Sequence, residues 1–265
     1  MKMKQLSFQA LLDFDVSDEE YQKALNRRNK VEGREGIDCP LCDNHEYTWI
    51  VHGNNRETKP CICANKRNSI ARIRKSGLLE QIKRCTFSSF QTPEKWQEIV
   101  KETVMKYVSD ENRRWLLVSG QSGCGKSHIC TAACNEFLQA GAEVRYMRWI
   151  DESILLKASI NSDVDYNKYM NPLKNCQVLY IDDFWKTQQG QQPSPADVRL
   201  AFDLLDFRYC NRSLTTIIST ERTVSDLLDI DMAVGGRIYE MTKGYCLEIG
   251  GNNKNWRLRD LRGAI

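Results

Sequence analysis

Residues 120–127 read Gly-Gln-Ser-Gly-Cys-Gly-Lys-Ser, the G-x-x-x-x-G-K-[ST] pattern of a phosphate-binding loop. An apolar run, residues 115–118, precedes the loop, and a stretch compatible with a helix follows it. The glycines allow backbone N–H groups to point at phosphate oxygens, and the dipole of the following helix adds positive charge there. Lys126 is then expected to neutralise the β- and γ-phosphates of ATP, and Ser127 to hold Mg²⁺. The expected nucleotide contacts are Gly120, Gln121, Ser122, Gly123, Cys124, Gly125, Lys126, Ser127 and His128.

A second apolar run, residues 178–181, ends in two carboxylates, Asp182 and Asp183. In a parallel sheet the carboxyl ends of the strands meet where ligands bind, so this pair is expected beside the phosphate loop. Asp182 would enter the Mg²⁺ shell held by Ser127, and Asp183 would be the base that orients the attacking water. Because phosphoryl transfer depends mainly on positioning and charge neutralisation, these residues and Lys126 predict hydrolysis of ATP to ADP.

From about residue 94 the chain alternates between helix and strand patterns, which is typical of a parallel α/β sheet. The expected strands are residues 115–119, 143–148, 177–182, 214–220 and 245–249, and the expected helices are residues 126–140, 150–159, 196–209, 223–228 and 233–241. A whole strand and helix, about residues 143–159, fit between the two motifs. This implies an additional strand that separates the phosphate-loop strand from the Asp-Asp strand, as in ATPases whose catalytic acid follows the magnesium-binding one.

The region from about residue 87 to 259 resembles AAA+ ATPases of the DnaC/DnaI helicase-loader group, a group that also resembles the IstB transposition helpers. The resemblance rests on the phosphate loop, the Asp182-Asp183 ending, the segment IISTERTVSDLL at 217–228, and GGRI at 235–238. It implies an α/β fold: a P-loop AAA+ (ASCE) parallel sheet flanked by helices and preceded by a small N-terminal zinc-binding helical module.

Two further site residues are implied by this resemblance. Glu221 stands in the segment that carries the polar γ-phosphate sensor, where the family often has Asn; its neighbours Ser219 and Thr220 could substitute. Arg237 matches an arginine that stabilises transition-state charge on the ATP of the next subunit. The alternative interpretation of Arg237 is an ordinary surface arginine.

The residues after Ile249 are too few for a full helical lid, and loaders of this group also end near that point. Arg257 and Arg259 are therefore poor candidates for a sensor on a lid. A basic strand face or a DNA contact is just as plausible for them.

The chain has eleven cysteines, and a cluster of them suits a metal site: Cys39, Cys42, Cys61 and Cys63. Zinc prefers four thiolate or imidazole ligands in a tetrahedron, and this spacing is near that of known zinc sites. His45 and His52 lie inside the loop between the pairs and could replace one cysteine. Four protein ligands leave no open position for water, so the predicted zinc site is structural. The alternative is a group of reduced cysteines that bind nothing.

These patterns predict two domains, an N-terminal zinc-binding and partner-binding module at 1–84 and an AAA+ ATPase domain at 85–265. Residues 1–36 are charged and mostly compatible with helix. A basic segment, 64–84, contains one acid, Glu80, and seven basic residues: Lys66, Arg67, Arg72, Arg74, Lys75, Lys83 and Arg84. Its apolar residues recur at roughly helical spacing: Ile70, Ile73, Leu78, Leu79 and Ile82. The segment is expected to contact DNA phosphate or an acidic protein surface, or to be a solvated linker helix.

The composition is ordinary for a globular protein, with 41% hydrophobic residues, 28% charged residues and a net charge of +3. No apolar run is long enough to span a membrane, and the N-terminus is not a convincing signal peptide. A cytoplasmic protein with no membrane partner is therefore expected.

Together, the motifs and the resemblance imply an ATPase that loads the hexameric replicative DNA helicase onto single-stranded DNA during replication initiation. Such a protein would assemble through shared ATP sites and would use ATP/ADP, Mg²⁺ and Zn²⁺. The alternative is an IstB-like ATP-dependent helper of a transposase, which binds DNA and involves no helicase. A metabolic kinase is disfavoured because the chain has no recognisable acceptor site.

Overall fold

The computed structural model describes residues 19, 23, 25, 26, 30–52, 55–75, 79–188, 190–251 and 253–258, without the side chains of residues 72, 75 and 79. Two compact units, Met1–Arg67 and Asn68–Ile265, make up the chain. Of the helix-compatible residues 1–36, those at 19, 23, 25 and 26 are helical. The other residues before residue 30 lie outside the described residues, as do Leu78 and Arg259.

The first unit contains a short 3-10 helix, Arg34–Gly36, and an antiparallel hairpin of β1 (Tyr47–His52) and β2 (Asn55–Pro60). Helix α1 (Ile62–Lys75) begins in this unit. Its Arg67 is only 1% exposed, and its guanidinium donates to the carbonyl oxygens of Ile37 and Asn44, each at 3.0 Å. Arg67 therefore holds the fold of this unit, and it is not available for the DNA contact expected of the basic segment.

A five-stranded parallel sheet forms the centre of the second unit. Its strands are β3 (Leu116–Gly120), β4 (Val144–Arg148), β5 (Val178–Asp182), β6 (Thr215–Thr220) and β7 (Cys246–Ile249), in the order β4-β5-β6-β3-β7. All five strands occur where the sequence predicts them, and the α/β fold class is confirmed.

An additional strand does separate the two motif strands, as expected, but it is not the strand near residues 143–148. Strand β6 lies between β3 and β5, and among the described strands β4 is paired only with β5, at the edge of the sheet. Burial explains the difference, since the TTIIST sequence of β6 is almost wholly buried, whereas β4 carries Arg145 and Arg148 and is only partly buried. A central strand must cover both faces with uncharged side chains, and an edge strand need not.

Helices pack on both faces of the sheet and enclose two apolar cores. They are α2 (Leu79–Arg84), α3 (Lys95–Ser109), α4 (Lys126–Gln139), α5 (Trp149–Ser159), α6 (Asp163–Asn175), α7 (Pro195–Cys210), α8 (Val224–Ile230) and α9 (Met232–Met241). Strand β3 shows how the cores divide, because Leu116 and Val118 enter one core while Leu117 enters the other. This alternation is the period of two that a strand imposes on its side chains.

The end of the basic segment packs within the second unit. Ile73 and Ile82 are buried in one of its cores, and the side-chain amide of Asn135 on α4 donates to the carbonyl oxygens of Ile82 and Cys85 at 2.7 and 2.8 Å. The expected domain boundary between residues 84 and 85 thus lies inside this unit, which begins at Asn68.

Candidate functional site

The phosphate loop lies between β3 and α4, as its sequence predicts. Gly123 and Gly125 have φ angles of 79° and 97°, in the left-handed region that favours glycine. A Cβ atom at position 125 would lie 3.0 Å from Cε2 of Phe90, so this glycine also allows an aromatic ring to approach the loop. Helix α4 then begins at Lys126, with its N-terminus directed at the loop.

Seven of the nine expected nucleotide contacts line one pocket of about 670 Å³: Ser122, Gly123, Cys124, Gly125, Lys126, Ser127 and His128. The other two, Gly120 and Gln121, do not line it. Their carbonyl oxygens instead accept hydrogen bonds from Nζ of Lys126, at 2.7 and 3.0 Å. The Lys126 side chain is 5% exposed, so the loop holds a buried ammonium group at its centre.

Asp182 lies at the end of β5 and accepts several hydrogen bonds. Its donors include the hydroxyls of Ser127 at 2.9 Å, Tyr146 at 2.7 Å and Tyr180 at 2.8 Å, together with the hydroxyl of Ser219. Burial and the Asp182 carboxylate raise the pKa of Tyr146 far above its usual value, so this hydroxyl remains a donor. A buried carboxylate next to a serine hydroxyl is the donor set expected of a Mg²⁺ site in a P-loop protein. The two predicted magnesium ligands are therefore neighbours.

Asp183 lies in the same pocket and contacts a lysine that the sequence analysis did not identify. Nζ of Lys186 is 3.2 Å from a carboxylate oxygen of Asp183 and 3.1 Å from one of Glu221. Burial lowers the pKa of Lys186, but the hydrogen bond to Glu221 and the charge of Asp183 outweigh it, and the pKa is raised overall. The three side chains form a charged group at the pocket wall, which we call the Lys186 cluster.

The backbone around this cluster is fixed by two buried aromatic rings. Phe184 and Trp185 are fully buried and stack with ring centroids 4.7 Å apart. Asp183 has φ of 53°, in the left-handed region that Asp adopts more readily than most non-glycine residues. The N–H of Phe184 donates to the carbonyl of Ser219 at 2.8 Å, which joins this turn to β6. Asp183 and Lys186 therefore line the pocket from a turn that is held by buried rings and by a hydrogen bond to β6.

The segment expected to carry the γ-phosphate sensor reaches the site through Glu221, which lines the pocket. The hydroxyl of Ser219 instead donates to Asp182, and that of Thr220 donates to the carbonyl of Phe184 at 2.8 Å. Both of these hydroxyls are buried and engaged in holding the site together.

Arg237, on α9, does not line this pocket in the part of the chain that the structure describes. Its Nη2 is 2.7 Å from Asp206 on α7, and its Nη1 donates to the carbonyl of Ala233 at 2.9 Å. Its guanidinium also lies over the Phe202 ring, 4.9 Å from the centroid. The predicted trans-acting arginine is thus separate from the site of its own chain and is held by local contacts.

Three further cations line the pocket and were not assigned to it from sequence: Arg84, Arg148 and Arg257. Arg84 ends α2 and Arg148 ends β4, whereas Arg257 follows the last strand. No local motif marks these arginines, because each reaches the pocket through the packing of its own element.

The second predicted site is formed by the sulfur atoms of Cys39, Cys42, Cys61 and Cys63, which all lie within 4.8 Å of one another. All four are buried and reduced. Burial raises the pKa of the Cys61 and Cys63 thiols, so the thiolates that zinc requires depend on the cation itself. Among the described residues the cluster contains no histidine, and a set of four cysteines fits a structural zinc ion.

The described helices include none that is both long and apolar enough to cross a membrane.

Comparison with known proteins extends these observations. The family model described as "IstB-like ATP binding protein" matches residues 63–234. The chain is 30% identical over 239 residues to the phage-like element PBSX protein XkdC of Bacillus subtilis (strain 168), a match covering 85% of this chain and 88% of XkdC. It is 29% identical over 112 residues to the replicative helicase loader DnaC of Escherichia coli (strain K12), covering 41% of this chain and 46% of DnaC.

In three dimensions the chain is similar to the crystal structure of the DnaC helicase loader. The TM-score is 0.54 at 22% sequence identity, and the match covers 61% of this chain and 96% of that one. At this identity the likeness shows the fold alone. The family match and the likeness to XkdC go further: this chain belongs to the IstB-like family of ATP-binding proteins, with the P-loop AAA+ fold that it shares with DnaC.

Proposed function

We propose that this protein is an ATPase that loads a hexameric replicative DNA helicase onto single-stranded DNA during replication initiation. One observation carries the enzymatic part: the Ser127 hydroxyl lies 2.9 Å from Asp182, in the pocket that also contains Lys126 and Asp183. These are the groups that bind a nucleoside triphosphate, hold its magnesium ion and position water.

The roles of the residues follow from their chemistry. When ATP binds, Nζ of Lys126 leaves the carbonyl oxygens of Gly120 and Gln121 and donates to the β- and γ-phosphates instead. The N–H groups of the loop bind the same phosphates. Ser127 and Asp182 hold Mg²⁺, which neutralises phosphate charge. Asp183 orients the water that attacks the γ-phosphorus. Glu221, at the position implied for the γ-phosphate sensor, acts through Lys186, whose ammonium lies 3.1 Å from its carboxylate.

Arg237 completes a neighbouring site in this proposal. Because it lies away from the pocket of its own chain, its role in this proposal is on the ATP of an adjacent subunit. ATP turnover would therefore depend on how many chains are assembled, and hydrolysis of ATP would release the chains from the assembly.

The helicase-binding role is assigned to the N-terminal module predicted at residues 1–84. Its cysteine cluster, with zinc bound, makes a rigid platform from a short segment that has little apolar core of its own. Leu41 lies between the first two cysteines and is 61% exposed, which suits contact with a protein partner. The relatives named replicative helicase loader support this proposal, although the match spans less than half of E. coli DnaC.

An ATP-dependent helper of a transposase is the second candidate, because the matching family model is named for IstB. This function would use the same nucleotide site. It differs in its partner, since a transposase and target DNA would replace the helicase.

Affinity capture distinguishes the two candidates. Asp183→Asn protein, which is expected to bind ATP and hydrolyse it slowly, serves as bait in lysate of the source organism, with and without ATP. The loader proposal predicts that the replicative helicase is recovered only with ATP. The captured helicase, once purified, should then be transferred by the wild-type protein onto closed circular single-stranded DNA in an ATP-dependent reaction.

Lys126→Ala is the matched control, since it removes the cation at the centre of the loop and should abolish nucleotide binding and capture. Normal ATP turnover by Lys126→Ala would refute the site itself. Recovery of a transposase, or of DNA without helicase, would support the second candidate instead.

A further inference from the structure

We propose that residues 253–258, which we call the C-terminal strap, form a wall of the nucleotide site, and that Arg257 on the strap binds the phosphates of ATP in its own chain. This inference rests on the proposed ATP site and adds a residue to it. It also differs from the sequence-based expectation, in which Arg257 is a poor candidate for a sensor on a lid.

The strap lies directly on the phosphate loop. The backbone N–H of Trp256 donates to the carbonyl oxygen of Gly123 at 2.8 Å. A Cβ atom at position 123 would lie 2.0 Å from Oδ1 of Asn255, so the glycine leaves the space that the Asn255 side chain occupies. With its carbonyl oxygen turned toward the strap, the Gln121 side chain also accepts from the backbone N–H of Asn255 at 2.7 Å. The loop and the strap are therefore built to fit each other.

Contacts within the strap determine where Arg257 lies. The Asn255 side chain accepts from the backbone N–H of Arg257 at 3.0 Å, and the Asn255 carbonyl accepts from the N–H of Leu258 at 3.2 Å. This tight turn begins at Asn255, the residue whose side chain packs on Gly123. The position of Arg257 is thus tied to the position of the loop, residue by residue.

A second anchor holds the beginning of the strap to helix α3. Nζ of Lys254 lies 4.7 Å from the centroid of the Trp96 ring and 3.7 Å from a carboxylate oxygen of Glu94. The Trp96 indole N–H in turn donates to Glu94 at 2.8 Å. With one anchor on α3 and another on the phosphate loop, the strap crosses the edge of the pocket.

Arg257 brings an available positive charge to this edge. It lines the pocket and is exposed, and its guanidinium has no carboxylate partner among the residues that the structure describes. Two other cations of the pocket do have carboxylate partners. Lys186 is paired with Asp183 and Glu221, and Arg148 lies 3.3 Å from a carboxylate oxygen of Asp151 on α5. A guanidinium presents several N–H donors in one plane, which matches the oxygens of a polyphosphate.

The test is an equilibrium titration of the full-length chain with ATP, ADP and adenosine, by competition with a fluorescent ATP analogue. Arg257→Ala should raise the Kd for ATP about tenfold, a change of about 1.4 kcal/mol, and should leave the weak affinity for adenosine unchanged. Arg257→Lys should recover part of the loss, since it keeps the charge without the planar donors. Arg212→Ala, which removes an exposed arginine outside the pocket, is the matched control and should bind as wild type.

Whether the strap positions Arg257 at the pocket is tested in a double-mutant cycle that combines Arg257→Ala with Asn255→Ala. Loss of the Asn255 turn should weaken ATP binding, and the effect of Arg257→Ala should be smaller in that background than in wild type. Full additivity of the two substitutions would show that the strap does not position Arg257.

Three results would overturn the assignment of Arg257. They are wild-type ATP affinity in Arg257→Ala, an equal loss of adenosine and ATP affinity, or a loss confined to binding of single-stranded DNA. The proposed function fails separately: if Lys126→Ala binds ATP as wild type does, the nucleotide site itself is wrong. Thermal unfolding without nucleotide should be the same for Arg257→Ala and wild type, because Arg257 is exposed and makes no ion pair with the described residues.

Discussion

Substitution of Asp206 should increase ATP turnover at low protein concentration. In the structure Asp206 holds Arg237 by an ion pair of 2.7 Å, and the guanidinium also covers the Phe202 ring. An arginine that acts on the ATP of a neighbouring subunit must first leave these contacts. In the proposed assembly the ion pair would therefore oppose the action of Arg237 on a neighbouring ATP. Asp206→Asn removes the charge of Asp206 while keeping a side chain of the same size.

The expected size of the shift in ATP turnover follows from the solvent exposure of the ion pair. The side chains of Arg237 and Asp206 are 25% and 36% exposed, so water screens the pair and limits its contribution to about 0.5–1 kcal/mol. At about 1.4 kcal/mol for each tenfold change in an equilibrium constant, release of the pair should lower the concentration for half-maximal turnover about two- to fivefold. The Phe202 contact remains in the variant, so a larger effect is not expected.

The assay is steady-state phosphate release per chain, measured over a wide range of protein concentration at saturating ATP. Asp206→Asn should shift the curve to lower concentration with the same plateau. Arg237→Ala should lower the plateau and leave the ATP affinity of the dilute chain unchanged. Glu98→Gln removes an exposed ion pair with Lys95 and serves as a control that should leave the curve in place.

Two outcomes would contradict this reasoning. An unchanged or higher midpoint in Asp206→Asn would show that the ion pair does not oppose assembly. An equal loss of ATP affinity in dilute Arg237→Ala protein would show that Arg237 acts within its own chain or supports the fold.

Three further predictions concern the two sites. Lys186→Met should lower kcat roughly tenfold, with recovery in Lys186→Arg, because Asp183 loses the cation that orients it; phosphate release at full rate in the Met variant would exclude this role. Tyr146→Phe removes a hydroxyl 2.7 Å from Asp182 and should lower the free energy of unfolding in urea by about 1.5–2 kcal/mol, whereas an unchanged value would mean that the bond contributes nothing. Elemental analysis should find about one zinc per chain, and Cys61→Ser should lose it; metal-free wild-type protein would argue against the zinc site.

The chemistry of the nucleotide site could be predicted from sequence because its main parts are local. The phosphate loop needs glycines at set positions and a helix that starts at Lys126, and these requirements concern consecutive residues. Asp182 could be placed beside Ser127 because all parallel strands end at the same edge of a sheet. The cysteine pairs were recognisable for a similar reason, since a C-x-x-C spacing supplies two ligands from one turn.

Some elements were not predicted because their local sequence gives a weak or misleading signal. Helix α6, Asp163–Asn175, contains Pro172 and many polar residues, and its start depends on Ser162, whose side chain accepts from the N–H of Asp165 at 3.3 Å. The sequence of the basic segment shows which residues are charged but not which are buried. Arg67 was therefore counted as a surface cation, although its guanidinium is enclosed by carbonyl oxygens of its own unit.

The sequence by itself determined the fold class, the phosphate loop, the carboxylate pair and the cysteine cluster, because each depends on spacing along a few neighbouring residues. Only the tertiary structure decided which charges meet. The contact of Lys186 with Glu221, the contact of Arg237 with Asp206, and the arrival of Arg257 at the pocket all join elements distant in the chain. Such contacts depend on strand order and on helix packing, which arise from burial of the whole apolar core and leave no pattern at any one position.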